Sequence, residues 1–174
     1  MNKFIERVEG YKSILEKAIR DERGEKSIIN LGDSLYCIFL SLRSLEDGGE
    51  KEIPVGVEEI VREIESEYER KDMVIREIFE EKRKEIKKKS LLFPLAFSAG
   101  GGIGALACYE LALNLGISPQ TSSLIGLGNW ISYLALGALG GYAYYKNEMK
   151  RFRRKLVDWG ERMLKYVNEV LRKF

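Results

Sequence analysis

Two apolar runs constrain this chain more than any other feature. Leu91–Leu115 and Ser122–Tyr145 are joined by a short uncharged link, Gly116–Thr121. Each run exceeds the roughly 20 apolar residues that a helix needs to cross about 30 Å of hydrocarbon. Glu110 is the only Asp, Glu, Lys or Arg inside either of them. The expected structure is a transmembrane helical hairpin.

The rest of the chain is of a different kind. Charged residues make up 32% of the 174 residues, and outside Glu110 all of them lie beyond the two runs. The mean hydropathy of -0.24 therefore averages a very polar part and a very apolar one. The net charge is only +2, so nothing in the overall charge points to a nucleic-acid partner. The chain has no histidine, which removes the commonest general base and metal ligand and excludes the usual Ser-His and Cys-His pairs. No enzymatic activity, cofactor or metal is expected. Cys37 and Cys108 fall in different segments and read as small apolar packers rather than a disulfide. The Glu/Lys/Arg/Ile-rich style resembles that of proteins from hyperthermophiles.

Basic residues set the expected topology. Lys82, Arg83, Lys84, Lys87, Lys88 and Lys89 precede the first run, and Lys146, Lys150, Arg151, Arg153, Arg154 and Lys155 follow the second. The link carries neither Lys nor Arg. The positive-inside rule then places both termini in the cytoplasm and the link outside, in a multi-pass protein of the cell membrane. Lys87, Lys88, Lys89, Arg151, Arg153 and Arg154 are candidate contacts for anionic lipid headgroups. Met1–Gly10 has no long apolar stretch, so the hairpin itself is expected to serve as the insertion signal.

The predicted fold class is all-α. Residues 1–53 read as an N-terminal cytoplasmic helical hairpin. Its first helix, about 2–20, carries a stripe of Phe4, Val8, Tyr11, Leu15 and Ala18, with Ile5 and Ile19 beside it. Gly24 is its expected stop. The second helix, about 27–45 with Ser27 as N-cap, steps through Ile28, Leu31, Leu35, Ile38, Leu42 and Leu45. Ile29, Tyr36, Phe39 and Leu40 widen its apolar surface, so burial on more than one side is expected, with contact to the membrane as the alternative. Residues 46–50 form a flexible connection.

Pro54 suits the first turn of the next helix. Residues 54–90 read as a cytoplasmic stalk that runs without a break into the first span, with Val57, Val61, Ile64, Tyr68, Ile75, Ile78 and Ile86 as its seam. Pro94 lies early in the apolar run. Residues 91–145 are the hairpin. Residues 146–174 read as a C-terminal cytoplasmic coiled-coil helix, because Met149, Phe152, Leu156, Trp159, Met163, Tyr166 and Val170 step by three and four. The acidic row Glu58, Glu59, Glu63, Glu65, Glu67 and Glu69 reads as a solvated helix face rather than a metal site.

Within the hairpin, Gly100, Gly101 and Gly104 of the first run and Gly137 and Gly141 of the second are candidate helix-packing residues, at spacings that let backbones approach closely. Gly126 and Gly128 add a further small surface, and a homo-oligomer is the expected way to cover what one hairpin leaves open. Glu110 is the outlier, since a carboxylate in a span costs several kcal/mol unless it is paired, protonated or wet. Folding the hairpin about 118–119 places it near Gly128 and Asn129. Glu110, Asn129, Asn114, Ser132 and Tyr109 then form a candidate intramembrane polar site. Either Glu110 is held between helices by Asn129, or it faces an oligomer axis and gathers cations at the outer mouth of a pore. Gly100–Gly104 lacks the Gly-Lys-Ser/Thr ending of a phosphate loop.

The layout of a long helix entering a two-span hairpin resembles that of CorA-type magnesium channels. The Gly-Met-Asn signature of that family is missing after the first span, where the chain reads Leu113-Asn114-Leu115-Gly116, so no functional residue carries over. Two functions are expected from these residues. One is a self-associating, membrane-anchored helical scaffold with a cytoplasmic protein partner. The alternative is a small homo-oligomeric cation channel with a ring of Glu110.

Overall fold

The computed structural model describes residues 2–21, 25–47, 55–68 and 75–172. Five helices account for nearly all of them: α1 Asn2–Arg20, α2 Glu25–Asp47, α3 Val55–Glu67, α4 Ile75–Asn114 and α5 Pro119–Leu171. No strand occurs among the described residues. The chain divides into two compact units. One combines Met1–Lys82 with Arg151–Phe174, and the other is Arg83–Lys150.

The first unit has a buried apolar core. Val8, Leu15 and Ala18 of α1 are buried, and Tyr11 at the edge of the same stripe is half-buried. On α2 the run Ile28, Leu31, Leu35, Ile38 and Leu42 is buried throughout, as its three-four spacing requires. Ile29, Tyr36 and Phe39 are half-buried and Leu40 is 43% exposed, so the widened apolar surface of α2 is only partly covered. The helix starts at Glu25, two residues before the expected N-cap, which puts Ser27 inside the first turn. Of the connection expected over 46–50, Glu46 and Asp47 belong to α2. Its remaining residues 48–50, the proposed stop at Gly24, Pro54, and the side chains of Phe4, Leu45 and Val170 lie outside the described residues.

The uninterrupted helix expected from Pro54 to Leu115 is corrected by the structure. The helix begun at Val55 ends at Glu67, Tyr68 sits in a turn, and the next helix starts at Ile75. The reason is packing against α5. Glu67 pairs with Lys155, while Phe79 meets Phe152 with ring centroids 6.0 Å apart. In one straight helix Glu67 and Phe79 would stand roughly 18 Å apart, yet their partners on α5 are one turn apart. Breaking the helix lets Val57, Ile60, Val61 and Ile64 of α3 be buried together with Ile75, Ile78 and Phe79 of α4.

Trp159 of α5 lies at the centre of this unit and is 2% exposed. The Phe79 ring stacks on it at 6.2 Å, and Tyr68 meets it edge-on at 6.3 Å. Its Nε1–H donates to Glu63 Oε1 at 3.2 Å, and Arg162 pairs with the other oxygen of Glu63 at 2.6 Å. Burial pushes the Glu63 carboxyl up, but hydrogen bonds from Arg162 and Trp159 outweigh it and hold the group below the usual glutamate range. Glu63 and Glu67 of the acidic row are thus paired with α5.

The expected seam of α5 is also modified. Phe152, Leu156, Trp159 and Met163 are buried, but the next buried position is Val167, and Tyr166 is only half-buried. Gly160 is buried as well, with Leu15 and Ile19 of α1 against it. Helix α5 meets α1 at Gly160, α3 at Trp159 and α4 at Phe79, so its buried face is wider than a two-helix seam. Close approach recurs at Gly56, where a methyl group would run into the Tyr166 ring, and at Gly32, where it would run into Phe79. Cys37 is half-buried, and its thiol is pushed up first by burial and then by Asp33, which keeps it a thiol and fits a packing role.

Candidate functional site

The second unit, Arg83–Lys150, contains both apolar runs. Its tip follows from local sequence. Gly116 adopts φ +79°, the left-handed conformation that a residue without Cβ takes at little cost. Its N–H donates to Leu113 O at 2.9 Å, and the Ile117 N–H to Ala112 O at 3.1 Å. This is a Schellman close to α4. Two residues later Ser118 caps α5, with its Oγ accepting from the Thr121 N–H at 3.4 Å, and Pro119 takes the first helical position. The link expected over 116–121 is therefore shorter, because Ser118-Pro119 starts the second helix three residues ahead of Ser122.

The short tip sets the register. A methyl group on Gly126 would lie 2.9 Å from Ala105 O, and one on Gly101 would lie 2.6 Å from Tyr133 Cβ. At Gly137 it would be 2.7 Å from Phe97 Cβ and 2.9 Å from Pro94 Cα, and at Gly141 2.5 Å from Ser90 O. Pro94 has no N–H, so the Ser90 carbonyl lacks its normal helical donor. Gly141 lets α5 sit directly against that carbonyl. Trp130 adds a specific tie, donating Nε1–H to Ser98 O at 3.1 Å. This donor role has no signal in the residue pattern.

This register corrects the expected surroundings of Glu110. Asn129 is level with Gly104, its Nδ2 3.1 Å from where a methyl group there would be. Glu110 lies about one and a half turns nearer the tip, and it is exposed. Tyr109 is half-buried with its Cβ beside Gly126, Asn114 is exposed at the end of α4, and the exposed Ser132 turns its Oγ to Gly128 O at 2.9 Å. Glu110, Asn129, Asn114, Ser132 and Tyr109 are not gathered into one polar site within the hairpin. The fold about 118–119 assumed a symmetric link, whereas the Gly116 turn shifts the pairing.

The glycines separate into two groups. Gly101, Gly126, Gly137 and Gly141 are buried between α4 and α5, and Gly104 is half-buried there. Gly100, Gly102 and Gly128 have nothing within 4 Å of an added methyl group. Ser122 is fully buried near the tip, and its Oγ has no hydrogen-bond partner among the described residues.

The outer surface of this unit is apolar. Leu95, Ile103, Leu106, Leu115, Leu124 and Leu139 are each at least 65% exposed. In the most apolar stretches of α4 and α5 only 6% and 17% of the residues are buried. Both helices are long and apolar enough to cross a membrane. Fold and site together define an all-helical protein in which two such helices form a hairpin. Comparison with family models, curated proteins and solved structures finds no match.

Proposed function

We propose that the chain is a self-associating, membrane-anchored helical scaffold. In this reading the Arg83–Lys150 hairpin lies in the bilayer, and the Met1–Lys82/Arg151–Phe174 unit serves as a cytoplasmic interaction module. The observation that carries it is the contrast between the two units. Leu15, Leu31 and Leu35 of the first are 0% exposed, while Ile103 and Leu115 of the second are 74% and 72% exposed. Water does not tolerate so extended an apolar surface on a monomer, whereas lipid tails do. A buried core helix of a soluble protein would pass the same length test but would be covered. The basic rows at one end and the uncharged tip at the other support cytoplasmic termini.

Gly100 and Gly128 support self-association. They are exposed, and small residues pack helices in lipid only when a second backbone comes close. The mass in mild detergent, measured by light scattering, is expected to be that of an oligomer. Gly100→Leu combined with Gly128→Leu is expected to reduce it to the monomer with helicity unchanged. A monomeric wild-type protein would overturn the self-associating scaffold.

The cation-channel reading is favoured by one observation, the exposure of Glu110 close to the tip. An oligomer could bring several such carboxylates around an axis. Its expected result is cation flux into liposomes that falls or loses selectivity in Glu110→Gln. Absence of flux in both proteins would leave the scaffold ahead.

A further inference from the structure

We infer that the hairpin binds anionic phospholipid headgroups through five lysines, Lys84, Lys87, Lys88, Lys146 and Lys150, at the end opposite its tip. The inference rests on the membrane reading above and names the lipid partner of that same hairpin. All five residues belong to the Arg83–Lys150 unit and are exposed.

Helix geometry places Lys84, Lys87 and Lys88 at i, i+3 and i+4 on α4, and Lys146 and Lys150 at i and i+4 on α5, so each set shares a face. The two sets are level. Ser90 lies against Gly141, and the Phe93 ring is 5.3 Å from the Tyr144 ring. Carried one to two turns further, this antiparallel register puts Lys87 and Lys88 opposite Lys146, and Lys84 opposite Lys150. The Lys89 ammonium differs from them, since Glu85 holds it at 2.6 Å.

Directly on the apolar side of these lysines lie Tyr142, 65% exposed, and the Phe93–Tyr144 pair. Leu91 and Leu92 are interleaved with these rings, and the exposed Leu95 and Leu139 follow. This order of ammonium groups, aromatic rings and aliphatic side chains matches phosphate, interface and acyl chain in a phospholipid. Clustered cations at that depth attract anionic headgroups, and free acidic solutes would not require the adjoining aromatic and aliphatic belt. The tip, over 114–121, has no Lys or Arg and offers no equivalent. Arg151, Arg153 and Arg154, expected beside these lysines, fall in the other unit and are left out of the inference.

The test uses the full chain reconstituted in phosphatidylcholine vesicles, with spin-labelled phosphatidylglycerol or phosphatidylcholine as probe. The motionally restricted fraction of each label measures lipid selectivity at the protein surface. Wild type is expected to prefer phosphatidylglycerol at least about threefold at low salt, with the preference collapsing at roughly 1 M salt, where the Debye length is about 3 Å. A variant with all five lysines changed to Gln is expected to lose the preference. Arg83, Lys89, Arg151, Arg153 and Arg154 remain to set its orientation, so it should restrict phosphatidylcholine as the wild type does. Equal affinity for the two lipids in wild type overturns the inference. So does a preference that survives in the variant. If neither label is restricted by wild type, the membrane reading itself fails, which is a different result.

Discussion

Gly137→Leu is expected to disrupt the hairpin, whereas Gly100→Leu leaves it intact. Both changes insert the same side chain into a helix where leucine is intrinsically better than glycine by somewhat under 1 kcal/mol. They differ in what the side chain meets. At Gly137 even the first added carbon comes within 2.9 Å of Pro94 Cα and 3.1 Å of Phe93 O, and these are backbone atoms that cannot rotate aside. Helices α4 and α5 would have to separate there. That would also remove the Trp130 to Ser98 hydrogen bond and the contact of Gly141 with the Ser90 carbonyl. Overpacking commonly costs about 1–3 kcal/mol, and rigid backbone on the far side argues for the upper end. At Gly100 nothing lies within 4 Å, so the pairing of α4 with α5 within one chain is undisturbed, and only self-association is affected. The measurement is the midpoint of unfolding when a denaturing detergent is titrated into mild micelles, followed by circular dichroism. Equal midpoints for the two variants would mean that the pairing of Gly137 with the Phe93–Phe97 segment is not present in solution.

Trp159→Ala is expected to be the most destabilising single change in the other unit. The side chain is 2% exposed, touches two aromatic rings and donates to Glu63. Truncating a buried tryptophan costs about 3–5 kcal/mol. Folded domains have only about 5–15 kcal/mol in all, so loss of cooperative melting is within range. Trp159→Phe separates the two contributions. It keeps most of the ring contact with Phe79 and removes only the donor to Glu63, which Arg162 still pairs, so a loss of about 1 kcal/mol is expected. Denaturant titration of the full chain, read by far-ultraviolet circular dichroism, checks both. A Trp159→Ala midpoint matching wild type would show that α3, α4 and α5 do not converge on this ring.

The helical nature of the chain was legible because its signals are local. A three-four rhythm identified α1, α2 and the end of α5, and residues such as Leu31, Leu35 and Ile38 are buried where that rhythm put them. The two long apolar helices followed from length and composition alone. The break between α3 and α4 was not legible. No Gly or Pro marks it, and its sign is the contact of both Glu67 and Phe79 with one turn of α5. Tyr166 and Val167 show the same limit. A strict heptad selects the first, but a helix packed on three sides buries the second.

The candidate polar site around Glu110 was less legible still. Small residues and lone polar groups were easy to find, but their grouping depended on a register that sequence spacing leaves open by several residues. One turn decided it. Gly116 in the left-handed conformation and the Ser118-Pro119 cap close the hairpin early, which sends Asn129 to Gly104 and leaves Glu110 exposed.

By itself, then, the sequence determined where helices form and which stretch is apolar enough for a bilayer, since backbone hydrogen bonding and side-chain transfer act within a few residues. Only the tertiary structure decided which glycines close the hairpin and which stay open, because that depends on atoms roughly twenty to fifty residues away that the chain brings into contact only once it is folded.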